Sequence, residues 1–307
     1  MNELEDDTYF EATFVIYLPL SPLIPFKKVN DIMKASKSVN TLIDVIVPLC
    51  IFFASQIMCS IVYIAISFAT GAIDKDNWNP NASDFMSQFA GVVSPALAIA
   101  SVVTIILILV WKRIRHQVIV GELATLRTSF PRVLLLIFGV FLGIYATNIV
   151  SEIIDLPNLA EDMFNSMSLT VMGFISIGIL GPIAEEYVFR SAMLGGMLKN
   201  GVGQWTAILI SSAVFGIIHG NPAQIPFAII VGILLGLLYV RTGNIIPCIV
   251  CHVINNSFSV YLMSKYVDQP DITTADLMGV DTWLPIMLAV VAAGGCLAIF
   301  RNKQCNM

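Results

Sequence analysis

The chain reads as an all-α, polytopic membrane protein with about eight transmembrane helices and both termini in the cytosol. Three observations predict this. First, of 307 residues 57% are hydrophobic and 12% charged, and the mean hydropathy is +0.84. A soluble domain carries about twice that charged fraction, so the surplus apolar surface requires lipid. Second, apolar segments approach or exceed the roughly 20 residues a span needs at 43–69, 89–111, 133–153, 168–189, 204–219, 223–240, 244–263 and 283–300. Third, the basic residues divide unequally between alternate connections. Lys27, Lys28, Lys34, Lys37, Lys112, Arg113, Arg115, Arg127, Arg132, Arg190, Lys199, Arg241, Arg301 and Lys303 fall on one side, and Lys75 and Lys265 on the other, fourteen against two. The richer side is the inner one, and the acidic loops around Asp74, Asp76 and Asp84 and around Asp268, Asp271, Asp276 and Asp281 lie outside.

Four regions follow in order. Residues 1–42 form an N-terminal cytosolic or interfacial segment. Its acidic start lacks the basic n-region of a signal peptide, and Phe14–Phe26 is interrupted by Pro19, Pro22 and Pro25, which suits an interfacial stretch. Residues 43–166 hold three helices with their loops; the basic connection 112–132, with His116, faces phospholipid. Residues 167–262 hold four helices and most of the intramembrane polar groups. Residues 263–307 supply a loop, the last helix and a short tail. The bland first half argues against an inverted-repeat transporter. No basic tract suggests nucleic acid, and the net charge of −5 resides in loops and ends. The expected location is a prokaryotic cell membrane.

The short patterns outside the polar region carry little. Gly232-x-x-x-Gly236 is a helix-packing signal, and Cys248-x-x-Cys251 sits in apolar sequence as a pair of small helix residues. Asn81-Ala82-Ser83 fits a glycosylation sequon, and H-E-x-x-H is absent.

Charges inside a hydrocarbon layer are expensive and usually functional. Glu185-Glu186 lies in GILGPIAEEYVFRSAMLGG, within the fourth span. Gly181-Pro182 predicts a break, with a new helix starting near Pro182. Glu185 then falls in a first turn, where the helix dipole favours a carboxylate, an arrangement suited to a general base. Adjacent helix residues point about 100° apart, so the two glutamates take different roles. Glu186 and Arg190, four apart and in the favourable order, form an ion pair, which leaves Glu185 facing a cavity. Two of the three histidines also lie in spans. His219 closes the fifth, with Phe215 one turn earlier, and His252 shares a face of the seventh with Asn256. Each polar group alone fits a helix–helix contact; their conjunction in three neighbouring spans points to chemistry.

Glu185-Glu186-x-x-x-Arg190, Phe215-x-x-x-His219 and His252-x-x-x-Asn256 resemble the three motifs of the CPBP (Abi) family, in order, across about residues 167–262. That family includes CAAX-prenyl endopeptidases and bacteriocin-processing or self-immunity proteins. The resemblance implies an intramembrane peptidase acting on a peptide or protein that is membrane-associated or lipidated. It implies that Glu185 activates water, that His219 and His252 bind a metal or polarise the scissile carbonyl, and that Asn256 helps hold the oxyanion. Glu186, Arg190 and Phe215 would support the site. Glu185, His219 and His252 would be the ligands if zinc is the cofactor; a metal-free glutamate mechanism uses the same residues. A non-catalytic scaffold or immunity protein, binding a peptide or partner in the same cavity, is the alternative.

One geometric requirement follows. Glu185 lies toward the inner end of the fourth span, whereas His219 ends the fifth on the outer side. They meet only if the long segment 168–199 overshoots or bends and the short fifth span ends below the outer surface, its Gly220-Asn221-Pro222 turn covered by protein or lining a wet cavity.

Overall fold

The computed structural model describes residues 26–73, 85–115, 117, 126–154, 156–269, 272–273, 276–277, 279, 281 and 283–298, and all its regular elements are helices. These are α1 (Phe26–Ala69), α2 (Phe85–Ile114), α3 (Phe130–Ile153), α4 (Glu161–Ser168), α5 (Val171–Lys199), α6 (Gln204–Ile217), α7 (Ile225–Thr242), α8 (Ile246–Lys265) and α9 (Trp283–Ala298). The chain is a multi-pass integral membrane protein. Six of these helices are long and apolar enough to cross a bilayer, and α6 and α9 are shorter apolar helices. Each expected span therefore has its helix. The stretch 14–25, His116, the sequon and Cys305 lie outside the described residues.

α5 is the hub. α1, α2, α6 and α8 pack around it, and α3 and α9 form an outer pair in contact with α7. α1 turns Leu42, Ile46, Phe53, Ile57, Ile61 and Ile66 outward, as a lipid-facing helix must, while Phe52 meets Phe189 of α5 edge-on at 6.3 Å. In lipid, close backbone approach replaces hydrophobic drive as the packing force. Gly232 lies so close to α6 that a Cβ there would stand 2.9 Å from the Ser212 side chain, and one at Gly236 would stand 3.2 Å from Ile208. The Gly232/Gly236 pattern is thus the α6–α7 seam. Cys248 and Cys251 are buried free thiols directed at the Leu235 and Ile137 carbonyls, at 3.4 and 3.8 Å, as small residues at helix contacts.

Two expectations need correction. Pro182 does not break the fourth span, because α5 runs helically from Val171 to Lys199, with π-helical turns at Phe174–Leu180 and Tyr187–Leu194. Proline lacks an N–H and its ring clashes with the carbonyl four residues back. The wider π ladder absorbs this: Gly181 N–H reaches past the usual acceptor to the Ser176 carbonyl. Glu185 is consequently mid-helix rather than in a first turn. Lys112 and Arg190, in turn, are not inner-loop charges; each is 1% exposed within the bundle, so two of the fourteen basic residues say nothing about orientation. Lys112 Nζ donates to Ser191 Oγ and lies 3.4 Å from the Ser191 carbonyl.

Polar clamps tie the helix ends that the charge pattern places on the inner side. Arg115 grips buried Asp44 through Nε at 3.0 Å and Nη2 at 3.3 Å, Asn200 Nδ2 donates to the same carboxylate at 2.9 Å, and Lys199 donates to the Arg115 carbonyl at 3.2 Å. Gly196 permits this approach, since a Cβ there would lie 2.7 Å from Asp44 Cβ.

Replacing Gly232 by Val forces α6 and α7 apart. The expected destabilisation is about 1–3 kcal/mol, read as a lowered thermal midpoint of the detergent-solubilised chain, with Gly294→Val, which meets open space, as the control.

Candidate functional site

The local sequence around Pro182 decides how α8 docks. Pro182 can hydrogen-bond neither to Gly178, its α-type acceptor, nor to Ile177, its π-type acceptor, because it has no N–H. Both carbonyls are instead taken by α8: Ser257 Oγ donates to Gly178 O at 3.0 Å and Asn256 Nδ2 to Ile177 O at 3.4 Å. A Cβ at Gly178 would lie 3.2 Å from Ser257 Oγ, so the glycine lets the two backbones close. His252 lies one turn before Asn256 on the same face of α8, and this docking sets it opposite the glutamates.

There the imidazole lies between the two carboxylates. His252 Nδ1 is 2.7 Å from Glu186 Oε1, and His252 Nε2 is 3.7 Å from Glu185 Oε2. Glu186 is fully buried, with side-chain exposure 0%, whereas Glu185 keeps 19%. Glu186 is thus the buried and Glu185 the more accessible of the two, and both face the same ring. Arg190 Nη1 reaches Glu186 Oε1 at 3.1 Å, so one oxygen serves a guanidinium and an imidazole together. A carboxylate accepts only, so Nδ1 carries the hydrogen and Nε2 is left for a proton or a ligand.

Phe215 joins the remaining members. Its ring lies under the Arg190 guanidinium (4.5 Å to the centroid), 5.0 Å from the His219 ring and 5.8 Å from the His252 ring, both edge-on. The cation over the ring face and the tilted aromatic pairs are favourable geometries. His219 Nδ1–H donates to the Phe215 carbonyl at 2.8 Å, again leaving Nε2 available. His219 follows the end of α6, whose 14 residues span only about 21 Å.

In the turn after His219, Asn221 is covered by protein whereas Gly220 is exposed. Asn221 is 3% exposed. Its Nδ2 donates to Asn158 Oδ1 at 2.8 Å, its Oδ1 accepts from Leu159 N–H at 3.1 Å, and Ala223 N–H donates to the Pro157 carbonyl at 3.2 Å. The connection leading into α4 thus satisfies backbone and side chain that lipid could not. Glu185, Glu186, Arg190, Phe215, His219, His252 and Asn256 fall in one neighbourhood through these links.

Two features escaped the sequence reading. Asn148 of α3 and Asn255 of α8 join Asn256, with Asn148 Nδ2 donating to Asn255 Oδ1 at 2.7 Å and Asn255 Nδ2 to Asn256 Oδ1 at 3.1 Å. The signal was an amide, Asn148, within the mostly apolar third span. For a metal, the fit is incomplete: among the described residues no three His, Cys, Asp or Glu side chains gather closely enough to hold an ion. His219 stands across Phe215 from His252.

Residues 167–258 match the family model described as Type II CAAX prenyl endopeptidase Rce1-like. The chain is 27% identical over 132 residues to the membrane-embedded CAAX protease MroQ of Staphylococcus aureus, covering 41% of this chain and 53% of that protein. It is 34% identical over 89 residues to YdiL of Bacillus subtilis, provisionally named a membrane peptidase, covering 29% of this chain and 36% of the relative. The matched part thus spans about half of one curated relative and about a third of the other. No solved structure matches significantly.

Removing Glu186 strands Arg190 in a dry interior. Glu186→Ala should cost about 3–5 kcal/mol, measured as a loss of thermal stability in detergent, and Glu186→Gln, which keeps the shape and an acceptor for His252, should cost less.

Proposed function

Residues 167–258 form a domain of the CPBP family, and on that premise we propose that the chain is an intramembrane endopeptidase using glutamate-activated water. One observation carries the reading: His252 is held by buried Glu186 through Nδ1 and turns Nε2 toward the more accessible Glu185, 3.7 Å away. A water at Glu185 Oε2 lies within reach of both groups. Glu185 takes its proton while the oxygen attacks the scissile carbonyl. The resulting oxyanion is met by the Asn256 amide, on the α8 face it shares with His252. The proton on Glu185 then passes to the departing nitrogen as the C–N bond breaks. His219 completes the wall of the site through Phe215. The substrate is a peptide segment, membrane-associated or lipidated, that reaches bilayer depth. The richer basic side, including Arg115, Lys199 and Arg241, faces the cytosol, with both termini on that side.

Zinc remains the candidate cofactor. Glu185, His219 and His252 would hold it if the two imidazoles closed on one point, and it would polarise the carbonyl as a Lewis acid. The steps above rely on the side chains alone.

In lipid nanodiscs, with a panel of fluorogenic membrane-inserting peptides, Glu185→Ala should lower turnover by at least about a hundredfold while leaving expression and thermal midpoint unchanged. Undiminished turnover by that variant would overturn Glu185 as the base, and a wild type that binds the peptides without cleaving them would overturn hydrolysis in favour of a scaffold that holds peptide in the same cavity. Elemental analysis of the purified chain, with turnover before and after chelation, decides the cofactor. One equivalent of zinc with chelator-sensitive turnover establishes the metal, and metal-free protein with undiminished turnover leaves catalysis to the side chains.

A further inference from the structure

Asn148 lies on α3, outside the matched segment 167–258. It starts a chain of three primary amides that ends at the site. Asn148 Nδ2 donates to Asn255 Oδ1 at 2.7 Å, Asn255 Nδ2 donates to Asn256 Oδ1 at 3.1 Å, and Asn256 Nδ2 donates to the Ile177 carbonyl at 3.4 Å. Such a chain has a direction. A carbonyl only accepts, so Asn256 must turn its NH₂ toward Ile177. Its Oδ1 then faces Asn255, which must present its own NH₂, and the Asn255 Oδ1 is left to face Asn148. Pro182 is the reason the Ile177 carbonyl is open to this use, since it removes the N–H that would otherwise take it.

Resting on the peptidase reading above, we infer that Asn148 is a positioning residue that, through Asn255, holds the Asn256 carboxamide with its NH₂ rather than its carbonyl toward the reaction. An amide can flip by 180° with little change in shape, but the flipped form would present a lone pair to a developing oxyanion and repel it. One Asn256 N–H is used on Ile177; the second is the donor the oxyanion needs. Without Asn148 the Asn255 carbonyl loses its donor, and the preference for one orientation weakens along the chain. The site is built from α3, α5 and α8 together, so the family-matched helices lack one of its parts.

Open space adjoins the position. Asn148 and Asn255 border a cavity of about 220 Å³ between α3 and α8, with Phe141, Tyr145, Ile254 and Phe258 as its apolar walls. Leucine at 148 has room without moving either helix.

The test uses the full chain in two readouts. In protein labelled with ¹⁵N-asparagine in detergent micelles, Asn148→Leu should shift the side-chain NH₂ signals of Asn255 and Asn256 and speed their hydrogen exchange, with the thermal midpoint retained. With the same peptide panel, Asn148→Leu should lower kcat about tenfold and leave KM unchanged. Asn148→Asp separates direction from packing. Its neutral carboxyl donates an O–H to Asn255 and keeps the polarity, whereas its anion only accepts and reverses the chain. The ratio of that variant's rate to the wild-type rate should approach one at acidic pH and fall as pH rises, whereas the Asn148→Leu ratio stays constant. Unmoved amide signals in Asn148→Leu, or an Asn148→Asp ratio of one at every pH, overturn the inference. Shifted amide signals in a protein whose wild type cleaves no peptide would instead overturn the peptidase reading and leave the amide chain standing.

Discussion

The hydrogen bond that Pro182 cannot make organises this bundle. In hydrocarbon an unpaired carbonyl costs several kcal/mol, so an acceptor left by the missing N–H must be satisfied from elsewhere. α8 supplies the donors, Ser257 to Gly178 and Asn256 to Ile177. That pairing fixes the height and rotation of α8 against α5. One turn away on the same face, His252 is thereby delivered to the glutamates. A local defect in one helix becomes the register mark for its neighbour.

At the centre one oxygen of Glu186 faces two neighbours, Arg190 at 3.1 Å and His252 at 2.7 Å. A buried pair is poor evidence for stability, because desolvation offsets the attraction. Its value here is specificity of arrangement: this rotation of α8 meets the carboxylate and both α5 carbonyls at once. Phe215 adds a non-ionic layer, its face under Arg190 and its surroundings occupied by both imidazoles. Full burial of Glu186 and partial access of Glu185 then divide support from chemistry between adjacent residues.

The short α6 makes depth consistent. Its 14 residues end in a turn whose Asn221 and Ala223 hydrogen-bond to Pro157, Asn158 and Leu159. His219 is thereby held at the level of Phe215 and His252. Phe215 links that histidine to His252, and His252 in turn faces Glu185.

Much of this was legible from the residues in order. Apolar length and the asymmetry of Lys and Arg specify the helices, because lipid admits few other solutions. The i,i+4 spacings pair Glu186 with Arg190 and place His252 and Asn256 on one face, because helix geometry is local. Glycine spacing marks the α6–α7 seam for the same reason. The fate of Pro182 was not legible, since whether a proline breaks a helix depends on donors from another helix. Nor were the roles of Asn148 and Asn255, or the burial of Lys112 and Arg190. Each depends on which side chains face it across distances of tens to more than a hundred residues, and a hydrogen bond or a desolvated charge is decided by that partner, which only the packed bundle brings near.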